Sequence, residues 1–277
     1  MQTQKITRLL KHSRPRFWLY LLGPVLIAGA SIGPKAFMNP LFWIFFIYTT
    51  FPANIYLYGV NDLADRDTDK YNKKKEGKET RAKAQDTVLK TAVGISLLLS
   101  LTVILLLPPI PATILLGYVF LATFYSLPPI RFKAIPFLDS ISNILYILPG
   151  ISLYVALSQT YPSVYVVLSG WAWTAAMHLF SAIPDIEPDK KAGLSTTATT
   201  LKEKNSLILC TALWTTTTVL ILQENLFLGT ISIIYPVLSL IPLLTKIPVE
   251  KQYWWYPYIN GVGGFILFWI LLLPTLL

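Results

Sequence analysis

The stretch Phe51-Pro-Ala-Asn-Ile-Tyr-Leu-Tyr-Gly-Val-Asn61-Asp62-Leu-Ala-Asp65-Arg-Asp67-Thr-Asp69 decides how this chain is read. It closes an apolar run that begins at Leu41, and within the last nine residues it turns from apolar side chains to four aspartates. Such a transition belongs where a membrane helix meets water. The pattern recurs further along, where the apolar run 164-183 ends in Asp185-Ile-Glu-Pro-Asp189. Carboxylates gathered at a membrane surface repel one another and the anionic lipid around them, and a bound divalent cation is the usual compensation.

The rest of the sequence supports a membrane reading. Of 277 residues, 54% are hydrophobic and 13% are charged, which excludes an ordinary soluble domain. Apolar runs of membrane-spanning length predict nine transmembrane helices, at 17-34, 41-60, 88-107, 112-127, 139-157, 164-183, 206-222, 227-244 and 256-276. Nine spans with the N-terminus inside put the regions 1-16, 61-90, 131-133, 190-204 and 246-251 on the cytoplasmic side. Those regions hold every Lys and Arg of the chain except Lys35, a bias that orients the N-terminus to the cytoplasm and the C-terminus to the outside. The expected architecture is all-α: one polytopic bundle over 1-277, integral to the inner or plasma membrane, with a central cleft open to the cytoplasmic side. The net charge of +9 then lies on one face, where it attracts anionic headgroups and anionic substrates. Nucleic acid is excluded as a partner, because a basic face broken by carboxylates and pressed on lipid has no continuous phosphate track. Cleaving a signal peptide after Ala28-Gly-Ala30 would strip one span and invert the charge pattern, so the first run is read as a span. Cys210 is alone in the sequence, so neither an intrachain disulfide nor a cysteine metal site is available.

As the continuation of a helix, the first motif would gather Asp62, Asp65 and Asp69 within about 60° of one face, with Asp67 pointing elsewhere. Three hard oxygen ligands on one stripe suit Mg²⁺, and Asn61 is placed to add a carbonyl or to orient phosphate. Asp185 and Asp189 would also share a face, but Pro184 and Pro188 bracket them and predict a break or a helix start there. Two such motifs four spans apart suggest a worn duplication with the acids facing across a cleft. Three other readings compete. Solvated loop acids balancing nearby lysines would explain one motif better than two. An EF-hand over 65-76 fails because Lys70 stands where the loop needs Gly and Lys73, Lys74 and Lys75 crowd it. A transporter should carry ionisable residues deep in its spans, where only His178 comes close.

The N-D-x-x-D-x-x-x-D of Asn61 to Asp69, paired with the D-x-x-x-D-x-x-x-G of Asp185, Asp189 and Gly193, resembles the UbiA-type membrane prenyltransferases. Ser13-Arg-Pro-Arg-Phe-Trp-Leu-Tyr20 and Phe180-Ser-Ala-Ile-Pro-Asp-Ile-Glu-Pro-Asp189, with the stretch quoted at the outset, are similar to the branch containing lycopene elongases. The resemblance implies an enzyme that binds two Mg²⁺ ions through Asp62, Asp65, Asp69, Asp185 and Asp189. It would transfer a dimethylallyl group from an allylic diphosphate to a hydrophobic acceptor, a carotenoid such as lycopene. It also implies diphosphate contacts from Asn61, from Arg131 and Lys133 after the fourth span, and from Tyr125, with Lys190 and Lys191 as second candidates. A cavity walled by aromatic rings would shield the allylic cation. A quinone-precursor or tetrapyrrole acceptor would use the same acids. A CDP-alcohol phosphotransferase would need D-G-x-x-A-R after its first Asp pair, where this chain has Asp65-Arg-Asp67-Thr.

Overall fold

The computed structural model describes residues 2-65, 86-245 and 247-276, and every regular element among them is helical. In chain order these are α1 (Gln2–His12), α2 (Trp18–Ile32), α3 (Pro34–Met38), α4 (Pro40–Thr50), α5 (Pro52–Ala64), α6 (Thr87–Leu105), α7 (Pro109–Phe124) and α8 (Leu138–Ile141). They continue as α9 (Leu148–Ser158), α10 (Val164–Ala182), α11 (Ile186–Lys191), α12 (Thr197–Glu224), α13 (Leu226–Ser232), α14 (Ile234–Leu244), α15 (Val249–Tyr253) and α16 (Tyr256–Leu272). Eight helical stretches among the described residues, some with a local break, are long and apolar enough to cross a membrane. They are Gln4–Ile32, Pro40–Ala64, Thr87–Leu105, Leu138–Ser158, Val164–Lys191, Thr197–Glu224, Leu226–Leu244 and Val249–Thr275. The remaining run expected to span, 112-127, is α7, with 16 residues. It is apolar throughout and shorter than the other eight stretches. Proline fixes its start: Pro108 caps the helix and Pro109 takes the first position, where its missing N–H costs nothing.

Polar side chains mark where other helices begin. Asn39 accepts from the Leu41 N–H, Asp86 from Leu89, Ser163 from Tyr165 and Asn225 from Leu228. Thr196 and Thr199 form a reciprocal capping box at the start of α12. Within the second span Pro52 restarts the helix after Phe51, so α4 and α5 meet at a break.

The chain groups into two compact units, each made of discontinuous segments. Unit one comprises Met1–Ile130, Leu145–Tyr161 and Asn260–Leu277, and unit two comprises Arg131–Ile144 and Pro162–Ile259. In unit one α2 packs on α9 closely enough that a Cβ on Gly150 would lie 2.5 Å from the Pro24 carbonyl oxygen. Glycine is required there because backbone meets backbone. In unit two α10 and α12 pack along their length around Phe180, Trp214 and Tyr256, with the Trp214 and Tyr256 rings stacked 5.5 Å apart. Elsewhere large apolar side chains face outward, among them Leu98 and Leu105 on α6 and Val237 and Leu244 on α14. An all-helical chain with that surface satisfies its backbone internally and presents hydrocarbon to lipid.

Candidate active site: two acidic corners

The first corner is the C-terminal end of α5. The helix ends at Ala64, and Asp65 follows as its cap with its N–H bonded to the Asn61 carbonyl at 2.9 Å. Asp62 and Asp65 stand three residues apart at this helix end; Asp67 and Asp69, the rest of the expected stripe, lie outside the described residues. Asp62 and Asp65 are only 1% and 6% exposed, so these two acids lie in the packed interior and do not face open water as acids at a membrane surface would. They can be buried because donors surround them. Asp62 Oδ1 accepts from Arg14 Nη2 at 2.8 Å, and Asp62 Oδ2 lies 2.8 Å from His12 Nδ1. Asp65 Oδ2 accepts from Asn61 Nδ2 at 2.8 Å, and the same amide nitrogen donates to Ser126 Oγ at 2.9 Å. Asn61 thus orients an acid, a more specific task than the sequence suggested.

The N-terminal segment closes this corner. Arg8 is ion-paired to Asp86, the cap of α6, while His12 and Arg14 reach Asp62, so one short stretch secures the ends of two helices. The Arg14 guanidinium carbon also sits 4.7 Å from the centroid of the Tyr58 ring. Around that ring Phe17 stacks on Tyr20 at 5.5 Å, Tyr20 meets Tyr146 edge-on at 6.0 Å, and the Tyr58 and Tyr146 hydroxyls are 3.4 Å apart. Unit one therefore has an aromatic wall beside its acids. The sequence supplied too many rings to choose it. Tyr125 caps α7 in the same unit.

The second corner follows α10. A single 3-10 turn, Ile183–Asp185, breaks the helix, and α11 restarts at Ile186 with Pro188 in its first turn. Proline is tolerated there because a first-turn N–H has no intrahelical partner, which is the break the sequence predicted. The corner ends at Gly193, whose φ of +70° lets its N–H reach the Lys190 carbonyl and the Leu194 N–H reach that of Asp189. This paired closure favours glycine, and it explains the last position of the second motif. Asp185 and Asp189 are half-buried, one helical turn apart. Lys190 is exposed and pairs with Glu187 at 3.1 Å.

Arg131 and Lys133 also belong to unit two. Arg131 is half-buried with left-handed backbone, φ 53° and ψ 60°, and Lys133 is 8% exposed. A buried acid missed by the sequence reading, Asp139, fixes the segment that follows them. It accepts from the Thr197 N–H at 2.9 Å, from the Thr197 hydroxyl and from the Ser140 N–H at 2.8 Å. The Phe137 N–H donates in turn to Thr197 Oγ1 at 2.6 Å. The signal was available: an isolated acid at the start of an apolar run needs a partner.

Each unit thus carries one acidic corner with basic residues nearby. Among the described residues no three His, Cys, Asp or Glu side chains converge as a ready-made metal cage. What is present are hard oxygen donors in pairs one turn apart, Asp62 with Asp65 and Asp185 with Asp189, a donor type that suits Mg²⁺ held jointly with phosphate and water.

These features define an all-helical membrane protein with two acid-rich corners. The family model for UbiA prenyltransferases matches residues 21-273, and the chain belongs to that family. It is an integral, multi-pass membrane prenyltransferase. Among its relatives, a lycopene elongase/hydratase of Haloarcula japonica is 43% identical over 260 residues, covering 93% of this chain and 88% of the relative. A lycopene elongase/hydratase of Haloferax volcanii is 43% identical over 259 residues, covering 92% and 85%. The fold is shared with a UbiA homologue from Archaeoglobus fulgidus solved bound to DMAPP and Mg²⁺. The TM-score is 0.67 at 20% identity, covering 94% of this chain and 99% of that one.

Proposed function

We propose that this enzyme transfers a dimethylallyl group from its diphosphate to the end of a linear carotenoid such as lycopene, with the N-terminus and both acidic corners on the cytoplasmic side. The observation that carries the acceptor is the 43% identity over 93% of the chain to a lycopene elongase/hydratase. The orientation is supported by the confinement of every Lys and Arg except Lys35 to one set of loops and the N-terminal segment.

The proposed metal ligands are Asp65, Asp69, Asp185 and Asp189, whose carboxylates are the hard donors Mg²⁺ prefers. Asp62 stands beside them, matched by Arg14 and His12. Bound Mg²⁺, two ions in this reading, supplies charge neutralisation on the diphosphate as the leaving group departs. Arg131 and Lys133 bind diphosphate oxygens, with Asn61, Tyr125 and Lys190 as further contacts. The allylic C–O bond breaks and diphosphate carries away the electron pair. Phe17, Tyr20, Tyr58 and Tyr146 offer ring faces that stabilise the allylic cation and exclude water. The terminal alkene of the acceptor then attacks, and the new tertiary cation either loses a proton or takes up water. The relatives' description as elongase/hydratase supports the second outcome alongside the first.

The test is a purified preparation in lipid with Mg²⁺, labelled dimethylallyl diphosphate, and parallel acceptors: lycopene, 4-hydroxybenzoate and chlorophyllide. Prenylated lycopene is the expected product. Prenylation of either other acceptor in its place would remove the carotenoid assignment.

A further inference from the structure

We propose that α1 is an interfacial helix that docks on anionic phospholipid. Its exposed apolar side, Ile6 and Leu10, enters the hydrocarbon edge, Lys5 and Lys11 meet the headgroup phosphates, and the docked helix steadies the start of α6 through Arg8.

α1 is cut off from the first span. It ends at His12, and Arg14, with φ 50° and ψ 69°, turns the chain before α2 begins at Trp18. At about 100° per residue, Leu9, Ile6 and Leu10 fall in that order within an arc of about 100°. Gln4, Lys5, Thr7, Arg8, Lys11 and His12 fill the rest of the circle, and residues 1-16 contain no acid. A helix apolar on one side and cationic on the other suits the plane of a bilayer interface.

The packing keeps that division. Arg8 and His12 turn inward, to Asp86 and to Asp62. Leu9 closes one side of an open groove of about 280 Å³, whose other wall is the face of α6 carrying Thr87, Val88, Thr91, Ala92 and Ile95. Ile6 is 55% exposed and Leu10 38%, and further along α6 Ile95, Leu98 and Leu99 are exposed as well. The apolar side of α1 therefore runs through the groove into the outward-facing hydrocarbon surface of α6, and the lipid that covers one covers the other.

Charge selects the kind of lipid. Lys5, Lys11 and Lys90, the last in the first turn of α6, are exposed, and among the described residues none of the three is paired with a carboxylate, whereas Arg8 is. An anionic headgroup supplies the missing counter-charge; a zwitterionic one satisfies only the apolar side. The coupling to α6 is direct, because Arg8 holds the carboxylate that caps that helix and Asp86 Oδ1 accepts from the Leu89 N–H at 3.1 Å.

The experiment follows amide hydrogen exchange over residues 4-12 and at Leu89. It uses the full chain in nanodiscs of phosphatidylcholine alone and of phosphatidylcholine mixed equally with phosphatidylglycerol. α1 should exchange about tenfold more slowly in the anionic membrane, an advantage that Lys5→Gln together with Lys11→Gln removes and that high salt screens. Lys35→Gln, the same loss of charge beyond the other end of α2, should keep it. Ile6→Gln with Leu10→Gln should speed exchange in both membranes, and Leu89 should follow α1 throughout. All these positions except Lys35 lie on the open side of α1, so the variants should fold. Equal exchange of wild-type α1 in the two membranes overturns the anionic lipid. A difference that survives loss of both lysines, or that Lys35→Gln removes equally, overturns their contact with the headgroups. Unchanged exchange in Ile6→Gln with Leu10→Gln overturns the hydrocarbon side, and a Leu89 amide indifferent to lipid while α1 responds overturns the coupling to α6. None of these readouts depends on prenyl transfer.

Discussion

At the corner after α5, Asp62 and Asp65 are buried and their positions come from other side chains, His12, Arg14 and Asn61. At the corner after α10, Asp185 and Asp189 are half-buried and placed by backbone: a 3-10 break, a first-turn proline and the glycine closure at Gly193. Two runs of acid that look alike on paper are thus built by different means. A buried carboxylate must be matched by donors, and removing it strands its partner. A half-buried acid keeps part of its hydration, so removing it should cost folding less.

The largest expected effect tests that contrast directly. Asp62→Ala should destabilise unit one by about 3 kcal/mol, because it leaves the Arg14 guanidinium without its carboxylate, while Asp185→Ala, at a half-buried position, should cost less. Thermal melting of both variants in one detergent checks this, and equal melting temperatures would erase the distinction between the corners. Next comes the rate. Under the proposed function, Asp65→Ala and Asp189→Ala should each lower prenyl transfer by roughly a hundredfold or more, and initial rates at saturating dimethylallyl diphosphate measure it. A loss at one corner with none at the other would confine the chemistry to one unit. Asp139→Ala, which deprives the buried Thr197 N–H and hydroxyl of their acceptor, should cost about 2 kcal/mol on the same melting scale. Smallest is Gly193→Ala: space is open around that position, so the cost should be only the roughly 1 kcal/mol of left-handed backbone. A much larger loss would mean that the glycine closure does more than end α11.

The acids were legible because their signal is local. Four aspartates within nine residues after an apolar run need no partner in view to be noticed. The break at Pro184 and Pro188 was legible for the same reason, since a proline acts on its own helix. His12 and the partner of Arg14 were not. Arg14 and Arg16 beside the first span could reach a cleft, but membrane orientation explains them as well, and nothing in the sequence says that a residue 48 positions away, Asp62, will lie against Arg14. Asp139 escaped because its partner, Thr197, is 58 residues distant. The aromatic wall escaped through abundance: with 15 Tyr, 14 Phe and 8 Trp, only packing selects Phe17, Tyr20, Tyr58 and Tyr146.

By itself, then, the sequence determined an all-helical membrane protein and two acid motifs suited to a divalent cation and a diphosphate, with a resemblance that named the family. Hydrophobic run length, charge sidedness and turn residues act over one or two helical turns, and a chain cannot conceal them. Which acid is neutralised, which arginine is held and which rings form the wall were decided by tertiary structure. Those matches are made between segments far apart in the chain, and burial is what makes an unmatched charge too costly to keep.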